Sequence, residues 1–340
     1  MDLRYQTIIE KAQELCRGRG ELLYLTLYGS TLYGTAVEGR SDIDVRGIYL
    51  PSPESLALGE WSRTLHCSTG GEGRNGSGDL DLDIWSVQHW LLRLLPAGDT
   101  GAIDVLFSPS FSACTLVRDH RLDPVFSEPL AFFDAGSGKA CAEYSLGQAR
   151  KYGIKGSRLG ALKTIAGCAA KLDRDAPGSR LSAFAEAIAA ACGDERFCRI
   201  DSVHGAPMLF ACGKHHVLST PMEEFLRRLS QDMERYGQRA ADAEKSGGMD
   251  WKALSHAVRA IRQNMELLEC GRVTFPLRCR EELLRIKTGQ AGWDEVEKSI
   301  LEGLAALEAL RASSPYGAGP DISRARQAVL ACYGLEDRHD

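Results

Sequence analysis

Two carboxylates, Asp42 and Asp44, stand two positions apart in the run Ser41-Asp42-Ile43-Asp44, twelve residues beyond Ser30. On an extended strand, residues at i and i+2 point to the same face. Two such carboxylates repel each other unless a cation lies between them. Their hard oxygens suit magnesium, which takes one or two carboxylates together with substrate phosphates. A third carboxylate from a neighbouring strand would complete a two-metal site for in-line displacement at phosphorus. Asp79, Asp81 and Asp83 alternate through DLDLDIWS and share a face, so any of them can supply it. Upstream, Gly29-Ser30 falls where an apolar run turns into Thr31-Leu32-Tyr33-Gly34. Glycine lets the backbone approach a phosphate, and amides at a helix start attract its charge. Ser30 adds a hydroxyl, and Gly34 would let the short helix pack closely. Alone, Asp-x-Asp is more often a solvated strand end and Gly-Ser a plain turn. Their order and spacing carry the signal.

These residues need elements to hold them. Periodicity predicts a first helix from Leu3 to about Arg17, ended by Gly18 and Gly20. ELLYLTLYG reads as a buried strand running into the Gly-Ser turn, and IDVRGIYL as a second strand closed by Pro51 and Pro53. HCSTGGEGRNGSG reads as a loop, DLDLDIWS as a third strand and SVQHWLLRLL as a helix. Beyond, helical patterns cover 141–170, 181–192, the run from 221 to 245, 251–270 with Gly271 at its end, 292–311 and 321–333. A β-hairpin at 197–218 turns at Gly205-Ala206-Pro207. The expected class is α+β: a mixed sheet with helices on one face, then a mainly helical region with a small hairpin. The expected domains are 1–115, 116–245 and 246–340.

Composition sets the outer bounds. At 340 residues, 44% hydrophobic and 26% charged, the chain is an ordinary globular protein, neither disordered nor a rod. No apolar run reaches the ~18 residues of a membrane span, and the first residues lack a signal-peptide core, so a cytoplasmic location is expected. Residues 1–110 hold 9 Lys/Arg against 15 Asp/Glu, while 139–190 hold 9 against 4. An acidic segment followed by a basic one suits a metal site facing a phosphate-holding surface, although solvated faces also differ in this way. The eleven cysteines are scattered, with no CxxC pair. Cys192, Cys198, Cys212, His215 and His216 offer one zinc-like spacing, Cys-x2-His, and a second pair that is too widely spaced. The cluster reads better as strands.

With these residues in view, the chain resembles the DNA polymerase beta-like nucleotidyltransferases. GS-x3-GT followed by SDID is similar to their signature. LYGSTLYGTAVEGRSDIDVRGIYLPSP resembles the bacterial and phage branch linked to RNA repair, as do DLDIWSVQHWLLRLLPAGDTGAIDVLFSP, ARKYGIKGSRL, KALSHAVRAIRQNMELLECGRVTFPL and ELLRIKTG. Residues 171–245 resemble it least. The resemblance implies that Gly29 and Ser30 hold a nucleoside triphosphate and that Asp42 and Asp44 bind two Mg2+ ions, with Mn2+ as a possible substitute. The family pattern runs Asp, two or three residues, aromatic, Ser, so it makes Asp81, with three residues before Trp85-Ser86, the third ligand, acting on the attacking hydroxyl. Asp83 stands where the pattern has an uncharged residue, which leaves the choice between them open.

The basic helices offer phosphate ligands. Lys151, Lys155, Arg158 and Lys163 can line a triphosphate or a nucleic-acid strand, and Lys252, His256 and Arg259 share one helical face. The competing reading is a solvated stripe with a histidine at the core edge. Arg278, Arg280, Arg285 and Lys287 read as surface residues. The expected activity is transfer of a nucleoside monophosphate from a nucleoside triphosphate to a hydroxyl, with release of pyrophosphate. An RNA or DNA end is the expected acceptor. The alternatives are nucleotidylation of a protein side chain and a non-catalytic nucleotide- or RNA-binding module.

Overall fold

The computed structural model describes residues 3–37, 39, 41–70, 78–134, 155–203, 205–234, 250–316 and 319–335. The expected helix positions at 141–154 and 235–245, with Lys151, lie outside them. Two units form: Met1–Ser145 with His256–Arg285 and Ala291–Asp340, and Leu146–Ser255 with Ile286–Gln290.

The first unit is built on a five-stranded mixed sheet in the order β3-β4-β2-β1-β5. Its strands are β1 (Gly20–Leu27), β2 (Ile43–Pro51), β3 (Thr64–Ser68), β4 (Leu80–Ser86) and β5 (Thr115–Arg118). β1 pairs antiparallel with β2 and β5, β3 pairs antiparallel with β4, and β2 runs parallel to β4. The apolar run in β1 puts Leu23, Tyr24, Leu25 and Leu27 in the core, as a strand buried on both faces requires. In β4, Leu80, Leu82, Ile84 and Ser86 are buried while Asp81, Asp83 and Trp85 alternate with them on the other face. The sequence pattern already predicts that alternation.

Around the sheet lie α1 (Leu3–Cys16), α2 (Gly29–Tyr33), α3 (Pro53–Leu58), α4 (Val87–His89), α5 (Thr100–Phe107) and α6 (Asp123–Ser127). The expected helix after β4 runs on from α4 as a π-helical turn, Trp90–Leu94. Asp99 caps α5 by accepting from the Ala102 amide at 2.9 Å. The expectations for β1, β2, β4, α1 and α2 agree with the structure. β3 and β5 are additional strands at the two sheet edges, and β3 runs into the start of the predicted loop.

The second unit contains α7 (Lys155–Asp175), α8 (Ala185–Cys192), β6 (Cys198–Val203), β7 (Ala206–Ala211), β8 (Lys214–Val217) and α9 (Met222–Glu234). The expected hairpin is present as β6 and β7, and β8 extends it to a three-stranded antiparallel sheet. Leu162, Ile165, Leu181, Ile188, Leu209, Phe225 and Leu229 form its core. The later helices are α10 (Trp251–Cys270), α11 (Arg280–Lys287), α12 (Trp293–Ser313) and α13 (Ile322–Cys332).

Candidate active site

The end of β1 delivers Tyr28, Gly29 and Ser30 against the start of β2. The Tyr28 amide donates to the Asp44 carbonyl at 2.8 Å. Gly29 has φ +57°, and a Cβ built on it would lie 2.1 Å from Asp44 Oδ2. No side chain fits there, so glycine is what brings the turn onto the carboxylate. Ser30 Oγ is buried and has no hydrogen-bond partner among the described residues. α2 then ends at Gly34, whose φ of +74° gives the left-handed cap.

The carboxylates come from adjacent parallel strands. Asp44 and Asp81 are direct register partners, and Arg46 and Asp83 form the next pair on the same face. Asp42 lies two residues before Asp44, immediately ahead of β2, and the Ile43 amide extends the pairing by donating to the Asp79 carbonyl at 2.8 Å. Asp81 Oδ1 is buried with no hydrogen-bond partner. Asp83 is differently placed, because Arg46 forms an ion pair with its Oδ2 while His66 Nδ1 lies 2.7 Å from its Oδ1. His66 comes from β3, where it is the register partner of Asp83, and its Nδ1 also lies 3.8 Å from Asp81 Oδ1. Donor atoms of His66, Asp81 and Asp83 all fall within 4.8 Å of one another, the separation a single cation can bridge. The Arg46 guanidinium lies 5.1 Å from the Tyr28 ring centroid and 5.7 Å from that of Trp85. The two carboxylates left as alternatives by the sequence are thus distinct: Asp83 is matched by a guanidinium and an imidazole, and Asp81 faces Asp44.

The remaining candidates divide between the units. Gly29, Ser30, Asp42, Asp44, Asp81, His256 and Arg259 belong to the first, and Lys155, Arg158 and Lys252 to the second. Lys252 and His256 are exposed on α10. Arg259, 15% exposed, points its Nη1 at Asp104 Oδ2, 3.3 Å away, and stacks 4.4 Å from the Tyr33 ring centroid. Arg158 lies on α7, where its carbonyl faces Cys212 Sγ at 3.6 Å. The cysteine and histidine cluster near 192–216 does not gather its donor atoms. Burial pushes the Cys198 and Cys212 thiols up to about 12, His215 hydrogen-bonds Asp201, and His216 packs edge-on against Phe225.

Sequence reasoning passed over Arg46, His66 and Asp104. Arg46 did carry a signal, as a charge two positions after Asp44 on a strand that is otherwise apolar. Asp104 carried another, as the single charge in the helix TGAIDVLF. His66 sits among residues read as a loop and carried none.

A mixed sheet carries the Gly-Ser turn against Asp44, with Asp81 in register on the parallel neighbour, as the resemblance to polymerase beta-like nucleotidyltransferases leads one to expect. Residues 5–123 match the model of one such family, RlaP, the RNA repair pathway DNA polymerase beta family. Over those residues the match bears out the resemblance, and it supports a transferase. The chain is also 27% identical over 298 residues to the uncharacterized 38.9 kDa protein of the nrdC-mobD intergenic region of Enterobacteria phage T4. That alignment covers 83% of this chain and 87% of the phage protein. No described helix is long and apolar enough to cross a membrane.

Proposed function

We propose that this protein is a divalent-metal-dependent nucleotidyltransferase that transfers a nucleoside monophosphate from a nucleoside triphosphate to a hydroxyl at an RNA end, releasing pyrophosphate. The observation that carries the reading is the register pairing of Asp44 with Asp81 across β2 and β4, with Gly29 packed on Asp44. The donor set fits divalent cations. Asp42, Asp44 and Asp81 offer hard oxygens, and Asp81 Oδ1 is buried with no hydrogen-bond partner among the described residues. Bound there, two Mg2+ ions, or Mn2+ in their place, would neutralise phosphate charge and lower the pKa of the attacking hydroxyl.

The chain's own residues supply the rest. Gly29 lets the turn backbone close onto Asp44, and the Ser30 hydroxyl, which has no hydrogen-bond partner among the described residues, would donate to a phosphate held there. Asp81 would accept the proton of the acceptor hydroxyl. Positioning and charge neutralisation do most of the work, since phosphoryl transfer asks little covalent chemistry of a protein. Lys155, Arg158, Lys252, His256 and Arg259 remain candidates for contacts to phosphate or to the acceptor strand.

The test is a transfer assay with each α-labelled nucleoside triphosphate, Mg2+ or Mn2+, and RNA, DNA and protein acceptors in competition. Label is expected on RNA and is expected to be lost in Asp42→Asn and Asp44→Asn. Label on protein would replace the acceptor class. Metal-dependent nucleotide binding without transfer would move the protein to the non-catalytic reading.

A further inference from the structure

The Asp104 carboxylate is buried at the centre of the first unit, with 2% of its side chain exposed. Four donors converge on it. Tyr33 Oη lies 2.6 Å from Oδ2, Tyr28 Oη 3.1 Å and Arg259 Nη1 3.3 Å, and Gln263 Nε2 lies 2.7 Å from Oδ1. Every contact donates to the carboxylate, the pattern that suits its ionised form. A buried charge of this kind contributes little net stability, because its desolvation offsets most of what the pairing returns. Well-packed apolar residues would hold the helices together as well. Its neighbours suggest another purpose.

Tyr28 and Tyr33 flank the Gly29-Ser30 turn. Tyr28 immediately precedes Gly29, and Tyr33 is the last residue of α2. Their rings meet edge-to-face, with centroids 5.7 Å apart. Tyr28 is held at two points, since its amide donates to the Asp44 carbonyl and its hydroxyl to Asp104. Both ends of the turn are therefore tied to one buried carboxylate, and that carboxylate is braced by Arg259 and Gln263, one turn apart on α10. The Cβ test at Gly29 leaves no slack against Asp44. A small rotation of Tyr28 would move Gly29 and Ser30 relative to Asp44.

We propose that Asp104 is a positioning residue that sets the Gly29-Ser30 turn over Asp44 by gripping Tyr28 and Tyr33 together. The inference rests on the function proposed above and extends it to groups that never touch the nucleotide. It also gives Arg259 a role that differs from phosphate binding: it braces Asp104 from α10.

The test uses the full chain and equilibrium binding of the four nucleoside triphosphates with Mg2+, alongside Mn2+ titration followed by electron paramagnetic resonance. Tyr28→Phe removes one hydroxyl and keeps the ring. It is expected to weaken binding of the preferred triphosphate about tenfold, the scale of one hydrogen bond to a charged group. Mn2+ affinity of the free protein should stay unchanged. Asp104→Asn should act in the same direction, and the double variant should lose less than the product of the two single losses. If Asp104→Asn does not fold, Tyr28→Phe and Tyr33→Phe carry the same comparison. Wild-type binding retained in folded Tyr28→Phe and Tyr33→Phe, with only the melting temperature lowered, would reduce Asp104 to a structural role and leave the function standing. A wild-type chain that binds no triphosphate would overturn both.

Discussion

At the scale of single residues, the question is what each carboxylate already touches. Asp81 and Asp83 lie two apart on one strand face, yet their neighbours differ. Asp83 meets the Arg46 guanidinium and the His66 imidazole, so its charge is matched by protein groups. Asp81 keeps a buried oxygen with no hydrogen-bond partner among the described residues, approached only by His66 Nδ1 at 3.8 Å, and stands opposite Asp44. Asp81→Asn is therefore expected to lower the rate of transfer by about a hundredfold or more, as removal of a transition-state contact does. Asp83→Asn should cost less in rate and more in stability, because it leaves Arg46 without its partner. Rate constants and melting temperatures for both variants check this, and the reverse ranking would mean that Asp83 holds the metal. Much of this site was legible in sequence. Gly29, Ser30, Asp42 and Asp44 lie within sixteen residues, and strand alternation alone puts the two carboxylates on one side. Arg46 and Asp104 were not, because what they touch is set by pairings across the sheet and between helices.

At the scale of elements, the same contrast separates long periodic segments from short ones. α1, α10 and α12 follow from apolar periodicity, and β4 from strict alternation. β3 and β5 escaped because they are edge strands of five and four residues, with too few positions to show a period. β8 escaped for another reason. Its Lys-His-His-Val sequence resembles a ligand cluster, whereas in the fold it puts His215 outside and His216 inside by simple alternation. His216 is 3% exposed, packs with its ring 4.9 Å from that of Phe225, and has no hydrogen-bond partner on either nitrogen among the described residues. Burial lowers its pKa from the ordinary 6.5, with the charge of Arg228 adding to the effect. The folded unit therefore holds this imidazole neutral at pH values where the unfolded chain protonates it. As pH falls below about 6.5, the unfolded state binds the extra proton, and stability falls with it until the folded pKa is reached. Urea melts between about pH 7.5 and about pH 5 should show that slope in the wild type. His216→Leu should lose the part of the slope that this proton contributes while keeping an apolar group against Phe225. An unchanged slope in His216→Leu would place the acid sensitivity elsewhere.

At the scale of the whole molecule, the family match and the folded unit do not have the same boundaries. The match ends at residue 123, but the unit built on the five-stranded sheet also takes in His256–Arg285 and Ala291–Asp340. Sequence reading could not anticipate this, because contacts across more than a hundred residues leave no local period. The contacts themselves are specific. Tyr333 Oη donates to the Pro51 carbonyl at 2.9 Å and accepts from Gln88 Nε2 at 2.8 Å. The Leu277 amide donates to the Tyr33 carbonyl at 3.2 Å, at the end of the Gly-Ser helix. Gln263 and Arg259 supply two of the four donors to Asp104. A fragment of residues 1–123 would keep Asp104 without those two donors and would expose the apolar surface that α10 and α13 cover. Leaving a buried charge short of its partners costs roughly 3–5 kcal/mol, a large share of the 5–15 kcal/mol by which whole domains are typically stable. The fragment is therefore expected to fail to fold cooperatively, although it holds every proposed metal ligand. Circular dichroism melts and proton–nitrogen correlation spectra of residues 1–123 beside the full chain measure this directly. A sharp melting transition and dispersed amide resonances in the fragment would mean that the sheet and α1–α6 suffice. The later helices would then act on the active site without being needed to build it.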